Sequence, residues 1–583
     1  MEDLPSLAPV WVYPKVDNDW VQAVAQNFHV HTITAQILVS RGFQDFDQIH
    51  EYFYSKLPDL IDPGKLLDMQ KAVKRIMAAL EKQEGILIYG DNDVDGMTGT
   101  VLLTEFLRRI GARVEYYVPH HNIQRYELFL DAIEFAKAHQ CTLMITVDCG
   151  ITAAKELHQV IANGIDVIIT DHHEPTEKLP NCVATLNPKL INQTYPNRDL
   201  TGVGVAFKLA HAITNYFFAH KLPMPKKIDL KVYLDLVALG TIADMGVLLA
   251  ENRVLVRYGL KQIQKTKRIG LAKLFQICGV NCSDATPIDI ASKIAPRLNS
   301  LGRIADPRKG VELLLLRDEK RAEELAKELD LFNVERQKIE QLVSTEVDDW
   351  LSKHINLLSN KALVLKSANW HPGVIPIVAA RIAKHYNRPT VIIAVDGSIG
   401  KGSIRTIREF PLLPILKKSA DLFLNYGGHD FAAGFTIPEN LIDKFAKRFI
   451  HAANSSLKDH DMISKLHLDA QADFKDLCYD LLSSFELFEP YGNENTPPIL
   501  YCQARQAWAP KVIGGTHLKL YLEQDDRMLE GIAFGMADRR AQIQKKNILL
   551  QVAYTPQINH FHNKSSIQLL IKDFKVIEET ERK

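Results

Sequence analysis

At about 150 residues per domain, a chain of 583 residues implies roughly four structural units and excludes a single small module. Its 46% hydrophobic and 24% charged residues are ordinary globular composition and exclude a disordered chain. Lys plus Arg (70) balances Asp plus Glu (70), so no bulk field draws the chain to nucleic acid or membrane, and any polyanion site has to be a local patch.

The start, MEDLPSLAPVWVYPK, carries acidic residues where a signal peptide needs basic ones, and no run reaches the ~18 apolar residues of a membrane span. The seven cysteines are scattered without a CxxC pair, which argues against a disulfide framework and a zinc ribbon. A cytoplasmic protein with no membrane association is expected. Residues 1–75 show helical spacing in short pieces and read as an N-terminal helical cap. Over 76–319 short apolar runs (GILIYG, RVEYYVP, LMITVD, DVIITDHH, DLVALGTIAD) alternate with helical stretches, the pattern of a parallel sheet in an α/β domain.

Residues 320–355 place Leu325, Leu329, Phe332, Ile339 and Leu342 among dense charges, as a connecting amphipathic helix does. A second α/β pattern over 356–455 runs from ALVLKS through VIPIVAARIAKHY and PTVIIAV to the Gly-rich NYGGHDFAAGFTI. Over 456–583, short alternating segments such as HLKLYLE and SIQLLIKDF predict a small β-barrel. The fold class is α/β: two α/β lobes joined by a long helix, plus a C-terminal β-barrel.

The sharpest chemical signal is Asp91-Asn-Asp93-Val-Asp95-Gly96, directly after ILIYG. Three acids within five residues repel one another unless a cation sits among them. An EF-hand loop would need a bidentate Glu at its twelfth position, which here is Leu102, so calcium is disfavoured. Three further strand-like runs end in Asp148, in Asp171-His172-His173, and in Asp244. Ligands of open α/β sheets gather beyond the carboxyl ends of the strands, so these ends can converge. An Asp-rich site with an imidazole suits Mn²⁺ or Mg²⁺, and two such cations can activate a water and stabilise a phosphoryl oxyanion.

GDNDVDG, TVDCG, TDHH and GTIAD together resemble the DHH phosphoesterase superfamily, and within it the exonucleases specific for single strands. The similarity runs on through LTGVGVAFKL, ENRVLVRYGL, APRLNSLGR, WHPGVIPIVAARI, GKGSIRTI and GGHDFAAGFTI. The resemblance implies a DHH domain, a DHH-associated domain and an OB-fold barrel. It implies a divalent-metal site of Asp91, Asp93, Asp95, Asp148, His172 and Asp244, with Asp148 bridging two Mn²⁺ or Mg²⁺ ions. Asp148, His172, His173 and Asp244 are the expected catalytic residues, with His173 near the substrate phosphate and Asp171 orienting an imidazole.

Substrate contacts are expected from Arg297, Asn299, Arg303, Ser403, Arg405 and His429, with His371 a weaker candidate. The barrel offers Lys519, Tyr521, Phe534, Arg539 and Arg540 to a single strand. The implied activity is hydrolysis of single-stranded DNA from the 5′ end to mononucleotides, in repair and recombination. A channel between the lobes would reject a duplex about 20 Å wide. A single-strand-binding protein and a helicase are the implied partners of a monomeric enzyme. Two alternatives stay open: a phosphoesterase of short oligoribonucleotides or cyclic dinucleotides, and a non-catalytic single-strand-binding scaffold.

Several positions depart from the superfamily pattern. His121 stands where Arg is usual, and Arg125 and Glu127 flank Tyr126 in place of glycines. Pro372, Pro376, Ile404, Asp430 and Gly246-Val247 are further differences. A Pro inside a helix removes a backbone donor, and Asp430 adds negative charge beside an expected phosphate site.

Overall fold

The computed structural model describes residues 8–119, 125–176, 178–223, 228–544, 547–561 and 564–577; His121 lies outside them. The chain begins with strand β1 (Val10–Val12) and helices α1 (Asn18–Phe28), α2 (Thr32–Ser40) and α3 (Phe46–Tyr54). Then follow α4 (Met69–Glu81), β2 (Gly85–Gly90), α5 (Val94–Arg109), β3 (Arg113–Tyr117), α6 (Arg125–Ala138), β4 (Cys141–Val147), α7 (Ala154–Ala162), β5 (Asp166–Thr170) and β6 (Ala184–Leu186). These strands form a parallel sheet in the order β3-β2-β4-β5-β6. Side chains alternate across it: Ile86 and Ile88 join the core shared with α4 and α5, while Leu87 and Tyr89 join that of α6 and α7.

Helices α8 (Gly202–Ala219), α9 (Leu234–Ala243), α10 (Ala250–Ile263) and α11 (Ile269–Ile277) complete this lobe. LVALGTIAD, expected as a strand, is α9. Every residue from Leu234 to Ile242 is buried, and a helix apolar on all sides has no amphipathic period to distinguish it from a buried strand. A single turn α12 (Pro287–Asp289) and a π-helical turn (Ile290–Ile294) lead into α13 (Ala295–Ile304), which carries APRLNSLGR. α14 (Arg308–Leu315) precedes the connecting helix α15 (Glu319–Lys353), whose 35 residues extend about 52 Å. Leu325 and Leu329 of α15 join the first lobe's core, and Val343, Val347 and Leu351 join the second's.

The second lobe contains β7 (Leu363–Ser367), α16 (Ile375–Tyr386), β8 (Thr390–Asp396), β9 (Ile399–Arg405), α17 (Leu413–Lys418), β10 (Asn425–Gly428), β11 (Ala432–Pro438) and α18 (Ile442–Ser456). Its sheet runs β10-β11-β9-β8-β7, with β7 and β8 parallel and the other pairs antiparallel. Pro376 occupies the first turn of α16, where no backbone donor is lost, so the expected helix penalty does not arise.

Residues 56–462 and 492–494 make one compact unit; 1–55, 463–491 and 495–583 make the other. The division differs from the expected segments. Residues 1–55 group with the C-terminal module instead of forming a separate cap through residue 75, and β1 pairs in parallel with β12 (Lys465–His467). After β13 (Ala470–Gln471) and α19 (Tyr479–Ser484) come β14 (Leu500–Gln506), β15 (Lys511–Ile513), β16 (His517–Gln524), β17 (Arg527–Ala533), β18 (Leu549–Phe561) and β19 (Lys564–Val576). Pairings β14-β18-β19-β17-β16, closed by β16 against β14 at Arg505↔Glu523 and Gln506↔Leu522, make a five-stranded barrel.

Candidate metal centre and nucleic-acid interface

The carboxyl ends of β2, β4 and β5 deliver the acidic side chains side by side. The ladder continues one step past each strand, with Asp91 N donating to Val147 O at 3.1 Å and Asp148 N to Thr170 O at 2.8 Å. Asp93 caps α5, its Oδ1 accepting from Gly96 N at 3.0 Å. Asp244 arrives from the other direction, at the C-terminal end of α9.

His172 Nε2 stands 3.1 Å from Asp148 Oδ1, 3.7 Å from Asp244 Oδ2 and 3.9 Å from Asp95 Oδ2. Three donor sets each fall within 4.8 Å: Asp148, His172 and His173; Asp95, His172 and Asp244; Asp91, Asp93 and Asp148. Asp148 Oδ1 is buried without a hydrogen-bond partner. Burial, reinforced by Asp95, raises the Asp148 carboxyl well above the ordinary range, and burial with His173 nearby keeps the His172 imidazole neutral. Burial and the neighbouring Asp93 lift Asp91 to about 6 and Asp244 to about 7. The buried Asp148 oxygen has no hydrogen-bond donor although His172 Nε2 stands 3.1 Å away, and the crowded carboxyls around it hold their protons only for want of a positive charge, which a divalent cation supplies. The donors are oxygens and one or two imidazoles, the set that suits Mn²⁺ or Mg²⁺.

Asp95 differs from the others. Its Oδ2 accepts from Gly202 N at 2.6 Å and its Oδ1 from Val203 N at 2.9 Å, so the N-terminus of α8 holds both oxygens. A Cβ on Gly202 would stand 2.5 Å from Asp148 Cβ, which is why the helix can start this close to the site. Asp171 is saturated as well: Oδ1 accepts from the amides of His172 and His173 and from His173 Nδ1 at 2.8 Å, and Oδ2 from Ile151 N. Burial opposes a charge on His173, yet Asp171 overrides it and raises the imidazole to about 9, leaving it cationic at neutral pH.

The second lobe contributes His429, whose ring stacks on His173 with centroids 5.3 Å apart and planes at 14°. Ser403 and Arg405 line a cavity of about 320 Å³ with Lys401, Pro372 and Pro376, and Arg405 Nη1 donates to Ser403 Oγ at 3.2 Å. Arg303 donates to Gly373 O at 2.8 Å, tying α13 to the turn before α16. Burial and then Arg303 lower the Arg405 guanidinium to about 10.

The remaining expected substrate residues each have a partner within the protein. Arg297 pairs with Asp330 at 2.8 Å, Asn299 Oδ1 accepts from Val94 N at 3.1 Å, and His371 Nδ1 accepts from Gly373 N at 3.1 Å. In the barrel, Tyr521 is buried beneath Lys511 and Lys519, and Arg539 pairs with Asp573. Trp508, half-exposed and 5.1 Å from Tyr521, carries no sequence signal because it lies between strands. Lys189, paired with Glu174 at 3.4 Å, bears on His172 and His429, and no spacing signal marks it.

The DHH family N-terminal domain matches residues 85–241, the DHHA1 domain 359–455 and the RecJ OB domain 468–573. The chain is 33% identical to the single-stranded-DNA-specific exonuclease RecJ of Bacillus subtilis over 97% of its own length and 71% of that protein's. With the Escherichia coli protein of the same name it shares 30% identity over 92% and 94%. The crystal structure of Thermus thermophilus RecJ in complex with Mn²⁺ superposes with a TM-score of 0.81 at 28% identity, covering 97% of this chain and 79% of that one. The Mg²⁺ complex of the same protein superposes with a TM-score of 0.74 at 26% identity, covering 97% and 78%. From the DHH domain to the barrel, the chain belongs to the RecJ family of single-stranded-DNA-specific exonucleases.

Proposed function

We propose that the protein is a metal-dependent exonuclease that hydrolyses single-stranded DNA from its 5′ end to mononucleotides, in DNA repair and recombination. The observation that carries this reading is the buried Asp148 oxygen, without a donor and 3.1 Å from His172 Nε2, within a ring of carboxylates. Asp91, Asp93, Asp148, His172 and Asp244 would hold two Mn²⁺ or Mg²⁺ ions, with Asp148 between them and Asp95 fixing the local backbone. Bound there, such ions supply Lewis-acid chemistry that neutralises phosphoryl charge and makes water nucleophilic near neutrality.

The chain's own residues place the substrate. Cationic His173 donates to a phosphate oxygen, His429 stacks behind it, and Ser403 and Arg405 receive the terminal phosphate in the cavity between β9 and α16. On the barrel, Trp508 (50% exposed), against the Tyr521 that Lys511 and Lys519 cover, and Phe534 (58% exposed), against His517, offer stacking faces. A polymer-binding barrel favours DNA over cyclic dinucleotides as the substrate.

No helix among the described residues is long and apolar enough to cross a membrane. The proposed setting is the cytoplasm, with a monomeric enzyme fed by a helicase and a single-strand-binding protein. End-labelled single-stranded and duplex oligonucleotides, incubated with Mn²⁺, Mg²⁺ or EDTA, test the reading. Metal-dependent shortening of the single strand alone, absent in Asp148→Ala, is expected. Single-strand binding without cleavage in either metal indicates a scaffold, and cleavage confined to short oligoribonucleotides indicates the small-substrate phosphoesterase.

A further inference from the structure

The Asp244 carboxylate accepts no hydrogen bond from any described residue, so its direction is set by its backbone alone: Asp244 N donates to Gly240 O at 2.9 Å on the helix side, and the turn after α9 fixes the other side. The turn starts in solvent and ends in the core: Met245 is 70% exposed and takes a φ of 55°, while Leu248 is buried. Packing therefore does not hold Met245 itself, where a left-handed residue with a β-carbon is strained. Met245 N donates to Ile242 O at 3.2 Å and Gly246 N to Thr241 O at 2.9 Å, which closes the helix end. Two further backbone groups are taken by one residue far along the chain. Asn493 Nδ2 donates to Met245 O at 2.7 Å, and Asn493 O accepts from Leu248 N at 3.0 Å.

The neighbours of Asn493 brace it. Gly492 lies flat on Leu248, where a Cβ would stand 2.5 Å from Leu248 Cδ1. Glu494, at a φ of 57°, pairs with Arg408, three residues beyond Arg405. The tripeptide thus touches the Asp244 turn on one side and the chain leaving the phosphate cavity on the other. From behind the turn, Asn252 Nδ2 donates to Val247 O at 3.1 Å and to Asp199 O at 2.6 Å, linking it to the segment that leads into α8.

We propose that Asn493 is a positioning residue of the metal centre: by clamping the Met245–Leu248 turn it aims Asp244 and so sets the affinity for the divalent cation. The inference rests on Asp244 being a cation ligand and deepens that reading. Alanine at 493 keeps the main-chain bond to Leu248 and loses the donor to Met245 O. Aspartate, nearly isosteric, sets a carboxylate oxygen against that carbonyl.

Mn²⁺ titration of the full-length protein without DNA, following the electron paramagnetic resonance of the free ion, tests this on wild type, Asn493→Ala, Asn493→Asp and Asn493→Ala combined with Met245→Gly. Oligonucleotide KM at saturating Mn²⁺ and the thermal midpoint are read alongside. The Mn²⁺ Kd is expected to rise about 10-fold in Asn493→Ala and further in Asn493→Asp. KM should stay within about twofold and the midpoint within about 4 °C, as for a single exposed contact. Met245→Gly should restore most of the affinity, because glycine takes the left-handed turn without strain. Unchanged Mn²⁺ affinity in both single variants overturns the proposal, as does a loss that Met245→Gly fails to recover. Asp244→Ala in parallel separates the two claims. If it binds Mn²⁺ as wild type does, the metal-centre reading itself is wrong; if it alone weakens binding, only the clamp is.

Discussion

Asp148 takes a φ of 62°, a left-handed conformation that costs a residue with a β-carbon about 1–2 kcal/mol. The strain turns its carboxylate back across the sheet edge toward His172. Replacing it with alanine is expected to abolish cleavage while leaving single-strand binding intact, as measured by turnover and by fluorescence anisotropy of a labelled oligonucleotide. The same residues set a pH dependence. The carboxyls of Asp91 (about 6) and Asp244 (about 7) and the imidazole of His173 (about 9) hold protons more tightly than in the unfolded chain. Each contributes stability that is full below its unfolded pKa and is lost as pH rises through the folded value. His172 and His429, lowered by burial, act the other way, but that contribution is complete once pH exceeds the free imidazole value of about 6.5. The thermal midpoint of chelator-treated protein should therefore fall between pH 6.5 and about 9. With saturating Mn²⁺ the slope should flatten or reverse, because cation binding displaces the same protons. A midpoint that rises with pH in chelator would be inconsistent with these protonation states.

At the scale of elements, the site is a meeting of chain ends: three strands of one parallel sheet, the C-terminus of α9, the N-terminus of α8 and the β10–β11 turn. Gly202→Ala tests how tightly they fit. The new methyl would press on Asp148 and on the amides that hold Asp95, and a displacement near 1 Å is worth about 100-fold in kcat. Steady-state kinetics at saturating Mn²⁺ check this, and kcat within a few-fold of wild type contradicts the packing described. Much of this arrangement is legible in the sequence, because Asp91, Asp148 and His172 each follow a short apolar run and such runs end at one edge of a parallel sheet. α9 reads as a strand because its burial on every side removes periodicity. The resemblance marks Asn299 and Arg297 as substrate contacts; that Val94 N and Asp330 are their partners inside the protein is set by how α13 packs, which no local pattern shows. The same limit hides Asn493, which is separated from Met245 by 248 positions.

For the whole molecule, α15 serves one core with its first half and the other with its second, so the two lobes that share the site are joined by a rigid rod. The second compact unit brings 1–55 together with the barrel, a grouping that no local signal near residue 55 announces. Its aromatic face carries its own prediction: Trp508→Ala should weaken single-strand affinity about 10-fold, measured by anisotropy at fixed salt, because one stacked base is lost. Unchanged affinity would place the strand elsewhere on the protein.

The most direct test of the account follows a single-stranded oligonucleotide labelled at its 5′ end, with a duplex of the same sequence beside it, in Mn²⁺. The account predicts label released at once as mononucleotide from the single strand and none from the duplex, with release stopped by EDTA. A ladder of progressively shorter 5′-labelled fragments, or equal cleavage of the duplex, would contradict it.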